Sequence, residues 1–276
     1  MTATRHRLPA SFLIGALLVA ALLALVLLSF VWTPYSATDL DIPNKLQAPS
    51  AAHWLGTDSL GRDIVTLLIV GSRVSIAVGV IAVGIGIGFG VLLGLVAAVW
   101  RGWIEEVVMR FADFTFAFPA LLSAIMLTAI YGPGVVTSIV AIGIFNVPVF
   151  IRITRASALV VRSREFVTAA RALGKSEWRI TLEHVLPNIL PMLIVQATIQ
   201  FALAILAEAA LSYLGLGTQP PMPSWGRMLN DAQLQLFRAP LLAVWPGIAI
   251  AFTVLGLNLL GDGLRDRFDP RLQRRS

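Results

Sequence analysis

The sequence has no cysteine and only three histidines, His6, His53 and His184, far apart along the chain. Disulfides, thiolate metal sites and cysteine nucleophiles are thereby excluded, and no histidine pair has the spacing of a metal site. Charge is scarce as well: Asp, Glu, Lys and Arg make up 13% of the 276 residues, against roughly 25% in an ordinary soluble domain. No Gly-rich loop ending in Lys-Ser or Lys-Thr occurs, so the chain carries no phosphate-binding loop of its own. The long apolar runs are almost free of ionisable groups. Asp113, Glu208 and Asp262 fall at their ends, where they are expected to reach water. Carriers driven by protons or sodium need carboxylates within the membrane, so a secondary carrier would lack its working parts here.

What the chain does have is apolar surface, with 57% hydrophobic residues and a mean hydropathy of +0.83. These residues are gathered in continuous blocks rather than at period two, which speaks against a β-barrel. Six blocks approach the roughly 20 residues that a spanning helix needs: 11–32, 74–99, 111–131, 135–151, 189–207 and 241–260, the fourth being the shortest. Arg5 and Arg7 before the first block resemble the start of a secretory signal. The block's length and the following Phe30-Val31-Trp32-Thr33-Pro34, without a small-x-small cleavage site, point instead to an uncleaved helix. The expected fold class is therefore all-α integral membrane, with six transmembrane helices. The expected division is 1–72, an N-terminal helix with an extracytoplasmic loop, and 73–276, a core.

With six spans, sixteen Lys and Arg fall on the side of the termini and five, Lys45, Arg62, Arg73, Arg227 and Arg238, on the other. The positive-inside rule then places both termini in the cytoplasm. The net charge of +6 reads as this bias and as attraction to anionic lipid, not as a nucleic-acid surface. Gly86, Gly90 and Gly94 lie on one helix face, and Gly84 and Gly88 on another. Such spacing allows close helix packing, within the subunit or against a second membrane subunit. Mild polar residues, Asn146, Gln196, Gln200 and Asn258, lie mid-span. Gln196 and Gln200 share a face and either line a passage, with Asn258 as a further candidate, or bond across a helix interface.

The segment between the fourth and fifth blocks is too polar for lipid. Arg164 to Leu173 reads as a short helix ended by Gly174 in a left-handed turn. Ser176 caps a second helix from Glu177 to about His184, and Pro187 is expected to stop it before the fifth span. Phe166, Ala169, Ala170 and Leu173 give the first helix a low, partly apolar face, suited to a groove on another protein. The run from Phe166 to Gly174, followed by Leu186-Pro187, resembles the Glu-Ala-Ala loop of ABC importer permeases. Thr168 stands where that family has its glutamate, which bears on a salt bridge from this position and not on the docking geometry. The outer run from His53 to Asp63, the stretch from Leu211 to Gly226, and Gly261-Asp262-Gly263 with Asp269-Pro270-Arg271 resemble the dipeptide, oligopeptide and nickel group, second-permease type.

The resemblance implies an ABC importer permease fold in a bacterial inner membrane. It implies a coupling loop of Glu165, Phe166, Ala169, Ala170, Gly174, Leu186 and Pro187. It also implies a sister permease, two ABC ATPase subunits that use ATP and magnesium, and an extracytoplasmic binding protein. No cofactor or metal is expected on this chain and no enzymatic activity. The implied cargo is a di- or oligopeptide, with nickel or a nickel chelate as the alternative. A membrane-embedded enzyme would need a catalytic cluster, and His53 with Asp58, Arg62 and Asp63 is more simply a folded outer loop.

Overall fold

A computed structural model describes residues 10–268. The flanking residues, with Arg5, His6, Arg7, the Asp269-Pro270-Arg271 motif, Arg274 and Arg275, lie outside the described residues. The described chain is helical: α1 (Ala10–Val31), α2 (Ile64–Val99), α3 (Trp103–Ala117), α4 (Ala120–Tyr131), α5 (Val135–Arg162), α6 (Glu165–Ala172), α7 (Glu177–Ile180), α8 (Leu186–Tyr213), α9 (Trp225–Ala232) and α10 (Leu241–Phe268). There are no strands among the described residues, only an isolated bridge between Thr57 and Asp63.

Five helices are long and apolar enough to span, and the sixth is broken. The block at 111–131, expected to run through, is split between α3 and α4, which meet at 85°. Pro119 is the cause. Its ring forces Phe118 into an extended conformation, φ −102° and ψ 133°, and it supplies no N–H to continue α3. At about 18 Å, α4 is too short to cross a bilayer core of ~30 Å by itself, and a sixth span exists only with α3 and α4 taken together as one bent pair. The fourth span, by contrast, is longer than expected and runs on to Arg162.

Packing follows the small residues. A Cβ on Gly86 would lie 2.5 Å from Asn146 Cβ, one on Gly90 2.5 Å from Phe150 Cβ, and one on Gly94 2.7 Å from Thr154 Cβ. The ascending register shows α2 and α5 parallel, with their backbones in close approach. That face is thus packed within the subunit, whereas Gly84 and Gly88 meet nothing. Helix α1 lies antiparallel to α10, Phe12 against Gly263, Gly15 against Leu260 and Leu18 against Gly256. The start of α1 and the end of α10 therefore share one side. The expected division at residue 73 falls inside α2.

The outer loop is a folded clasp. Asp63 caps α2 by accepting from Thr66 N and Thr66 Oγ1 at 2.8 and 2.9 Å, and pairs with His53 Nδ1 at 3.0 Å. Asp58 accepts from the Arg62 side chain and from the backbone of Leu60 and Arg62. These residues hold the loop onto α2. Glu208, expected to reach water, is 1% exposed. It accepts from Ser212, Thr218 and Ser75 hydroxyls at 2.7, 3.2 and 3.3 Å, tying the turn after α8 to α2. Burial needs such partners, and the turn at 214–218 folds back over α8 to supply them.

Candidate functional site

Two regions bear on function, a projecting helical element and a cavity between the spanning helices. The element begins where α5 passes Arg162. Its first helix, α6, ends with Gly174 at φ +78°, with Gly174 N donating to Arg171 O at 2.9 Å and Lys175 N to Ala170 O at 3.3 Å. This paired arrangement closes the helix through a left-handed residue, a conformation only glycine takes without strain. Ser176 Oγ accepts from Arg179 N at 3.4 Å and starts α7.

The second helix is not stopped at Pro187. Residues Thr181–Val185 form a π turn in which Leu186 N donates to Thr181 O. That extra residue per turn absorbs the missing proline donor, so α7 and α8 form one helical rod from Glu177 to Tyr213. Any displacement of α6 and α7 thus acts directly on a spanning helix.

Two charge clusters fix α6 to this rod. Glu177 accepts from Arg171 Nε at 2.7 Å and from Arg162. Glu183 accepts from Lys175 at 2.7 Å and Arg179 at 2.6 Å. Both clusters precede the apolar part of the rod, which begins at Ile189. The Arg171 bond holds the Glu177 carboxyl below its ordinary value against the opposing effect of burial, with Arg162 adding to the lowering. Lys175 and then Arg179 lower Glu183 to about 2. Trp178 packs edge-on against Trp100 at 5.1 Å, joining the rod to the end of α2.

The faces of this element divide cleanly. Val167, Ala170, Ile180 and Val185 turn inward into the core. Phe166, Ala169, Leu173 and Leu182 are exposed, Leu173 at 82%. Ala170 is therefore part of the inner face, not the outer one expected for it beside Ala169. Glu165 and Thr168 are exposed, Pro187 is exposed on the first turn of α8, and Leu186 is half-buried.

The second region is a cavity of about 630 Å³ bounded by α4, α5, α8 and the elbow at Phe118-Pro119. Gln200 and Asn146 line it. Gln196 is half-buried outside it and Asn258 is exposed on α10, so the structure does not bring together the three residues expected to share a passage. Asn146, one helix away in sequence, takes the place opposite Gln200. Sequence spacing relates residues on one helix only, which hid this pair. A separate groove of about 760 Å³, lined by Gly84, Gly88, Leu186 and Leu190 among others, is almost wholly apolar.

Residues 90–274 match the family described as "Binding-protein-dependent transport system inner membrane component". The chain is similar to the dipeptide transport system permease protein DppC of Alkalihalophilus pseudofirmus, 42% identical over 95% of this chain and 86% of that one. It is also similar to the glutathione transport system permease protein GsiD of Pectobacterium atrosepticum, 43% identical over 87% of this chain and 80% of the relative. Its fold resembles a chain of the MetNI methionine ABC transporter in inward-facing conformations. That likeness has a TM-score of 0.63 at 18% identity and covers 74% of this chain and 96% of that one.

Proposed function

This chain belongs to the binding-protein-dependent transport inner membrane component family, and from that premise we propose that it imports short peptides with both termini in the cytoplasm. As a member it is a multi-pass inner-membrane permease of an ABC importer, not an enzyme. It works in a complex with ATPases and a substrate-binding protein. The finer arrangement proposed is one sister permease and two ATPase subunits, which bind and hydrolyse ATP with magnesium. Residues beyond α1 and the outer loop, from about 73 onward, form the permease core.

The observation that carries the reading is the ion-paired element at 165–187. Its exposed Phe166, Ala169 and Leu173 offer a small apolar face to an ATPase groove, the helix-in-groove mode. Glu165 flanks that face, Gly174 sets the angle, and Leu186 and Pro187 begin the rod that receives the motion. Peptide cargo is favoured over nickel because the relatives named for dipeptide and glutathione transport both handle amide-linked substrates.

Reconstitution of the whole complex in vesicles tests this. ATP-dependent uptake of a labelled dipeptide is expected. Uptake of nickel with no uptake of dipeptide overturns the substrate reading, and uptake without ATP overturns the importer reading.

A further inference from the structure

Asn146 and Gln200 are 6% and 5% exposed, yet neither side chain forms a hydrogen bond with any of the described residues. Other amides here are bonded. Asn188 donates to His184 O, Gln219 to Gly215 O, and Asn230 and Gln233 to Tyr213 O. The Asn146 and Gln200 polar atoms are not sealed off by protein; they open into the cavity at the elbow. A carboxamide in an apolar site with no partner is costly, so what fills this space must supply hydrogen bonds.

Depth adds to this. Asn146 lies about 16 Å along α5 from Val135, and Gln200 about 20 Å along α8 from Tyr213. Those two helix ends share a side, joined by Gly134 N donating to Leu216 O at 3.1 Å. The pair therefore sits near the middle of a hydrocarbon core ~30 Å thick. Among the described residues, no Asp, Glu, Lys, Arg or His lines the cavity.

We propose that this cavity is a substrate subsite in which Asn146 and Gln200 receive the backbone amide of a peptide in transit. The proposal rests on the peptide-import reading and adds the site to it. Each carboxamide offers both a donor and an acceptor, so a peptide bond is satisfied whatever side chains flank it. Those side chains meet Leu203, Ala207 and Phe145 on the same walls. Acyl chains and apolar protein surface leave both amides unpaired, and an ion finds no charge. The volume is within the ~300–1,000 Å³ usual for small-ligand sites. Pro119 has a part in this: by breaking the third span it turns α4 away and leaves the space open.

The absence of cysteine permits a direct test on the assembled complex. N146C and Q200C are each treated with a charged methanethiosulfonate, with and without dipeptide, binding protein and ATP, and G84C reports on the apolar groove. Alongside, the near-isosteric pair Asn146→Leu and Gln200→Met is assayed for dipeptide uptake relative to its ATPase rate. The proposal expects N146C and Q200C to react, substrate to slow the reaction, and G84C to stay unreactive. It expects the double variant to lose about tenfold in uptake, the size of one or two hydrogen bonds between neutral partners. Unreactive thiols at both positions overturn it and assign the space to lipid or a second protein. Reactive thiols with full uptake in the double variant overturn it too. If the double variant fails to assemble, the single variants Asn146→Ala and Gln200→Ala, which also remove the carboxamide, take its place under the same criteria. Failure of the unsubstituted complex to import dipeptide overturns the import reading itself, a result distinct from any of these.

Discussion

At the scale of single residues, the projecting element separates what folds it from what it presents. Gly174 holds φ +78° with open space around the position of a Cβ. A substitution there is opposed by backbone strain alone, about 1–2 kcal/mol for a residue bearing a Cβ. Gly174→Val should tilt α7 against α6 and reduce the ATPase retained on purification, while membrane insertion is unchanged. Neighbouring alanines should behave oppositely. Ala169→Glu should insert and fold, because its side chain points outward, but lose ATPase and uptake together. Ala170→Glu buries an unpaired charge against Val167 and should lower the melting temperature before any binding is measured. The ion pairs give a pH expectation. Glu177 and Glu183 have lowered values when folded, so their contribution is complete above about 4.5 and fades as pH falls below that, for Glu183 toward about 2. ATPase retention followed from pH 8 to 5.5 should be flat. A loss within that range would mean that these pairs do not hold the element together.

At the scale of elements, apolar run length was enough to find every spanning helix, because lipid leaves a chain no other way to satisfy its backbone. Proline was the weak signal. Pro119 breaks a run that reads as continuous, and Pro187 fails to break one that reads as ended. The difference lies in the neighbours: Pro119 follows an extended Phe118, whereas Pro187 enters a helix whose preceding turn has already widened at Thr181–Val185. Neither circumstance is visible in local composition. Side-chain partners across helices were equally hidden. Gly174 and Ser176 were legible because a turn is decided within a few residues, but Asn146 facing Gln200, and Ser75 reaching Glu208, depend on how α5 and α2 lie against α8. The Glu208 network makes its own prediction. Glu208→Ala leaves three hydroxyls without their acceptor in a buried site, at about 1–3 kcal/mol. The turn at 214–218 should loosen, seen as faster hydrogen exchange at Gly217 and Thr218 with α8 itself still protected. Unchanged exchange there would mean that the turn is held by its backbone bonds to Ala210, Leu211 and Ser212 without the Glu208 network.

At the scale of the whole molecule, sidedness ties the coupling element to the membrane. The pairings Phe12–Gly263 and Leu18–Gly256 put the start of α1 and the end of α10 on one side. The parallel register of α2 and α5 puts Trp100 and Arg162 together on one side too, with Glu105 paired to Arg155 and Trp178 edge-on against Trp100. If every span crosses, counting the α3–α4 pair as one, these two sides are the same. Among the described residues, that side holds eleven of the sixteen Lys and Arg. On the opposite side Arg62 and Arg227 are both bound to Asp231, and Arg62 to Asp58 as well, so much of the little positive charge there is paired within the fold. Lys and Arg near span ends are what resist translocation, and the imbalance supports the proposed orientation, in which the 165–187 element faces the cytoplasm, where ATP is. Reporter fusions after Asn44 and Gln219 should read as exterior, and a fusion after Lys175 as cytoplasmic. A cytoplasmic reading at Gln219 with an exterior reading at Lys175 would overturn this orientation and remove the element from any ATPase.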